Sequence, residues 1–103
     1  MVVGGKEIDF KITRLKDAAR FEAARAEFEN SKDGFSGKPG EPITETIGRA
    51  IEAFRRFIFT ATGEDILADC DDLEEAKAVF SEFCRCVAAQ KNTVPVFSAA
   101  DIK

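Results

Sequence analysis

Histidine, tryptophan and tyrosine are all absent from this 103-residue chain. Without histidine, imidazole-based triads, the commonest general base and most zinc sites are removed together. Without tryptophan or tyrosine, all ten aromatic residues are phenylalanine. Phenylalanine brings apolar area but no hydrogen-bonding handle, so these rings read as core filler or apolar contacts. Long hydrophobic runs are also missing: the apolar stretches are a few residues each, far below the ~20 needed to cross a bilayer. The N-terminal residues do not read as a signal peptide, and the cysteines number three, an odd count. These absences lead us to expect a soluble, reduced, cytoplasmic protein.

What the chain does contain is 45% hydrophobic and 33% charged residues, the composition of one small domain with a well-solvated surface. Its net charge of −4 is unevenly spread. Residues 1–60 carry eleven basic and ten acidic groups, whereas residues 61–103 carry four and nine. No clustered basic surface is available for phosphates, so nucleic acid is not an expected partner.

The organisation along the chain is that of an α+β, mainly α, fold. Gly4-Gly5 supplies a two-residue hairpin turn, after which Ile8, Phe10 and Ile12 alternate with polar residues at strand period. A hairpin over 1–12 is expected, with Val2 paired near Ile8 and the apolar face laid on helices. Thr13 is a cap for a first helix over 14–31, with Ala18, Phe21, Ala24 and Phe28 facing inward. Ala19, Ala23 and Ala26 fall on its other side. They serve either as strong helix formers or as a small-residue face that admits a second helix closely.

Residues 32–42, "KDGFSGKPGEP", read as a loop in which Phe35 is the only large apolar group. It either plugs the core edge or marks a contact. A second helix spans 44–62, starting at Thr44 or Thr46 and closing at Gly63, with a one-turn helix at 64–68 beyond it. A third spans 72–91, capped by Asp71, with Leu73, Ala76, Phe80, Phe83, Cys84 and Val87 inward. Residues 1–92 thus form a single domain, and Pro95 makes 93–103 an extended tail carrying Phe97.

No motif for catalysis stands out. Cys84 and Cys86 project about 200° apart on a helix and do not readily chelate one ion. Cys84 reads as a small buried hydrophobe. The acidic run "DCDDLEEA" lacks the glycine and spacing of a calcium loop and is explained as helix capping. No enzyme activity, cofactor or metal is expected.

One stretch of the second helix, "AIEAFRRFIFTATGED", carries a surplus hydrophobe. On a wheel centred on Phe54, the positions Ile47, Ala50, Ile51, Phe57, Ile58 and Ala61 lie within about 60° either side. Phe59 lies near 140°, between Glu52 and Arg55, outside that face. Either the hairpin or the first helix covers it, or it belongs to a partner or self-association surface together with Phe35 and Phe97.

The order of segments, "GGKEIDFKITRLKDAARFEAA", a Gly/Pro loop, "IGRAIEAFRRFIFTATGED" and "ADCDDLEEAKAVFSEFCRCVAAQ", resembles the small tail assembly chaperones of long-tailed, siphovirus-type bacteriophages and prophages of Gram-positive gut bacteria. Gly5, Glu7, Ile8, Phe10 and Ile12 match the opening hairpin of that family, and Gly63-Glu64 matches its turn after a Phe-rich helix. The chain departs from the pattern at "DILADCDD", where the family has a Gly/Phe-containing turn. The resemblance implies a non-enzymatic protein of the host bacterial cytoplasm. It would bind the helical tape-measure protein and keep it soluble until tail-tube subunits polymerise. Self-association and a frameshifted longer form are further features of that family. A competing expectation, from small size and an acidic second half, is a phage-encoded inhibitor that blocks the basic groove of a host defence nuclease.

Overall fold

Gly4 and Gly5 take φ values of 59° and 80°, the two successive left-handed residues that a tight hairpin turn requires. They join strand β1 (Val2–Val3) to strand β2 (Lys6–Glu7) in a two-stranded antiparallel sheet. The computed structural model describes residues 1–31 and 39–92. Three helices follow the hairpin: α1 (Leu15–Ser31), α2 (Ile43–Thr62) and α3 (Leu73–Asn92). The hairpin packs on α3, where Gly4 sits over Val79 and its N–H donates to the Glu82 carboxylate at 2.6 Å.

Val2 stands opposite Glu7 and Val3 opposite Lys6. The expected pairing of Val2 near Ile8 is therefore one position out. Ile8 instead faces Met1, its N–H donating to the Met1 carbonyl at 2.7 Å and its carbonyl accepting from the Met1 amino group at 3.0 Å. The hydrogen-bonded pairing ends with Met1 and Ile8, whereas alternation predicted strand as far as Ile12. The burial pattern nevertheless holds, since Ile8, Phe10 and Ile12 are buried and Asp9 and Lys11 exposed. Side chains replace the missing neighbouring strand. The Gln90 amide accepts from the Ile12 N–H at 2.8 Å and donates to the Phe10 carbonyl at 3.0 Å. The Asp17 carboxylate accepts from the Lys11 N–H at 3.0 Å. Buried backbone groups must find partners, and here two helices supply them.

Helix boundaries differ from expectation by a residue, and α2 begins at Ile43 with Pro42 at its N-cap and no side-chain cap bond, not at Thr44 or Thr46. α1 begins at Leu15, and the Arg14 carbonyl accepts the first turn's bond from Ala18. Asp17, buried in the first turn beside the helix's positive end, bonds not to the helix but to the Lys11 N–H and the Arg14 guanidinium just before it. α3 is capped by Asp72 rather than Asp71, its carboxylate accepting from the Glu74 N–H at 2.9 Å. α2 closes as expected at Gly63, whose φ of 80° lets its N–H return to the Phe59 carbonyl at 2.7 Å. Between Glu64 and Asp72 the chain forms turns, not the expected one-turn helix.

Seven phenylalanines build the centre of the core. Phe10, Phe21, Phe57 and Phe83 meet with centroids 5.5–6.4 Å apart, Phe28 and Phe80 join them through Phe57, and Phe54 packs on Phe28 and Phe80. Each fully buried ring contributes roughly 1.5–3 kcal/mol from area alone, and edge-to-face geometry adds to it. The expected inner faces of the three helices supply six of these rings together with Ala24, Ala50, Ile58, Ala61, Ala76 and Val87, and Phe10 comes from the segment after the hairpin. Cys84, expected on the inner face of α3, is only half-buried, and Cys86 packs against the core instead. α2 packs on both α1 and α3. α1 runs antiparallel to it, with Arg20 beside Gly63 at one end and Ser31 sharing a groove with Arg49 at the other. The 64–72 connection brings Leu67, Cys70 and Asp71 back beside Ile47 and Ile51, so α3 starts alongside the first half of α2.

Candidate functional site

The geometry of α2 decides the place of Phe59. Its neighbours Phe57 and Ile58 are buried in the core, while Phe59 remains 52% exposed. Neither the hairpin nor α1 covers it. The ring borders a shallow depression with Glu52, Arg55, Arg56 and Asp65. The charges there are already matched within the chain. Arg55 forks onto both oxygens of Asp65 at 2.8 and 2.7 Å, and Arg56 reaches Glu27 at 3.1 Å. The hydrogen bond and charge of Arg55 hold the Asp65 carboxyl below the usual carboxylate range, and Asp65 in turn raises the guanidinium. What this surface has left to offer a partner is the apolar ring.

Ala19, Ala23 and Ala26 are all exposed on the side of α1 turned away from Phe21 and Ala24. No other helix of the described residues lies over them. The shallow depression at Ala26 is formed with Glu22, Arg25 and Glu29, and it shares no residue with the one at Phe59. The alanine face and the Phe59 ring are therefore separate features. Phe35 and Phe97, grouped with Phe59 from the sequence, lie outside the described residues.

Two larger grooves flank α2, and neither was anticipated. One, of about 420 Å³, lies between α1 and α2 over Phe28, Phe57, Ala24 and Ala53, with the Glu27–Arg56 ion pair at its rim. The other, of about 490 Å³, lies between the first half of α2 and the returning 67–71 segment. Its walls are Ile47, Gly48 and Ile51 on one side and Leu67 and Ala68 on the other. Wheel geometry assigned Ile47 and Ile51 to a continuous core face, but both are only half-buried, because the 64–72 connection leaves a gap above them. The readable signal was the four-residue spacing of Ile43, Ile47 and Ile51, which continues the apolar row to a residue that is 72% exposed.

The chemistry of the remaining polar groups is modest. Cys70, Cys84 and Cys86 are free thiols, and burial pushes the Cys84 thiol up, away from thiolate. Among the described residues no three cysteine or carboxylate side chains converge to hold a metal ion, and no helix is long and apolar enough to cross a membrane. No family model, curated protein or solved structure matches the chain.

Proposed function

We propose that this protein is a non-enzymatic holding chaperone of the kind its segment order resembles, one that binds the helical tape-measure protein of a long-tailed phage in the host cytoplasm. The observation that carries this reading is the Phe59 ring. It is a large apolar side chain in the last turn of α2, left half-exposed beside a core already filled by seven other phenylalanines. Exposed apolar surface on a small, charged domain suits capture of another apolar helix. Ile43 and Leu15 are also exposed, at 72% and 87%, but Ile43 lies about 24 Å from Phe59 along α2 and on its opposite side, so they are separate apolar points.

Co-expression with the tape-measure protein tests the reading. The chaperone should move it into the soluble fraction, and unchanged solubility refutes the assignment. Phe59→Glu should fold normally, because the wild-type ring is half in water, yet lose partner binding or self-association. Unfolding of that variant would instead make Phe59 part of the core. A second reading, a blocker of a basic groove on a host nuclease, is favoured by the acidic run of residues 64–75, which has seven carboxylates and no cation. Salt separates the two: affinity for a basic groove collapses as ionic strength rises, whereas apolar capture persists.

A further inference from the structure

We infer that the groove between the first half of α2 and the 67–71 segment is a docking site for a basic amphipathic helix. The inference rests on the chaperone reading and specifies where the partner helix lies and what chemistry it carries. From Thr44 to Arg55 the groove follows three turns of α2, a length of about 16 Å, which matches three turns of a second helix. Ile47 and Ile51 face Leu67 across it, and the polar groups Thr44, Glu52, Arg55 and Asp71 complete the lining. Gly48 and Ala68 are small, and a Cβ added at Gly48 would meet no atom within 4 Å. A helix can therefore approach closely and set side chains at i, i+3, i+4 and i+7 between the isoleucines.

Charge selects the occupant. Asp71 borders the groove, and Asp69 and Asp72 stand exposed beside it on a segment with no basic residue between Glu64 and Ala76, while Glu52, also in the lining, is paired with Arg55 at 3.6 Å. The single cation of the lining, Arg55, is already taken up by Asp65. Lysine or arginine flanking the apolar stripe of a guest helix would meet this acidic edge. A glutamate-flanked helix would be repelled, as would the acidic edge of a second copy of this chain.

Two synthetic amphipathic peptides test this, each about 18 residues long so as to span five turns. They share one leucine stripe and carry either lysine or glutamate on its flanks. Fluorescence anisotropy on the full-length protein should show the lysine peptide binding about tenfold or more tighter at low salt, the sum of a few exposed charge pairs. Gly48→Gln starts from a Cβ that meets no atom within 4 Å, projects a longer side chain from a residue of the groove's lining and improves helix propensity, so it should keep the native circular dichroism while weakening the lysine peptide about tenfold. Asp69→Lys combined with Asp71→Lys should reverse the preference. Equal binding of the two peptides, or a folded Gly48→Gln variant with unchanged affinity, overturns the inference. Co-expression keeps this result distinct from the function itself. If wild type and Gly48→Gln solubilise the tape-measure protein equally, the groove is wrong and the chaperone reading stands. If the groove binds the lysine peptide but wild type leaves the tape-measure protein insoluble, the chaperone reading fails alone.

Discussion

Replacing Gln90 by methionine keeps the side-chain length and apolar volume but removes both arms of the amide that holds residues 10–12 on α3. Two bonds are lost, at 2.8 Å to the Ile12 N–H and 3.0 Å to the Phe10 carbonyl. Each contributes about 1 kcal/mol net, and leaving two part-buried backbone groups unpaired adds roughly another 1 kcal/mol, for about 3 kcal/mol in total. For a domain of this size that corresponds to a fall in Tm of roughly 10–20 °C. Urea unfolding should show a lower midpoint with an unchanged slope, because the native fold still buries the same surface. Hydrogen exchange should show selective loss of protection at the Ile12 amide. Gln90→Glu offers an internal control: its carboxylate still accepts from Ile12 but has no hydrogen for the Phe10 carbonyl, so it should fall between the two. A methionine variant within about 0.5 kcal/mol of wild type, with the Ile12 amide still protected, would refute the claim that a side chain stands in for a strand here.

Phe83 is fully buried against Phe10, Phe21 and Phe57, so Phe83→Ala should cost about 3–5 kcal/mol in the same urea experiment. Gly63→Val forces a β-branched residue to a φ of 80°, and a loss of at least about 1–2 kcal/mol is expected by thermal unfolding. The Asp65 carboxyl is held low by Arg55, so its contribution is present above the unfolded carboxylate pKa and is lost as pH falls through its folded value. Asp65→Asn should therefore be less stable than wild type near neutrality, with the difference shrinking between about pH 5 and pH 2. A difference that stays constant across this range would remove the ion pair as its cause.

Much of the helical core was legible because it depends on local spacing alone. Phe21 and Ala24, then Ala50, Phe54, Phe57, Ile58 and Ala61, and Ala76, Phe83 and Val87 are buried where helical period places them. Phe59 is exposed for the same reason, since no rotation of α2 buries Phe57 and Ile58 together with it. Gly63 and the Gly4-Gly5 pair marked real turns because only a residue without a Cβ adopts a positive φ at no steric cost. Other features depended on residues far apart in the chain. Alternation correctly buried Ile8, Phe10 and Ile12, but it could not show that Gln90, about eighty positions later, would satisfy their backbone in place of a strand. Nor could spacing show that residues 67–71 return beside Ile47 and Ile51 and leave a groove there, because a wheel describes one helix and not what covers it. By itself, the sequence determined which faces are apolar and where the chain turns, through periodicity and backbone sterics. Only the tertiary structure decided which apolar surface is buried and which is left open, because that depends on how far each neighbouring element reaches over it.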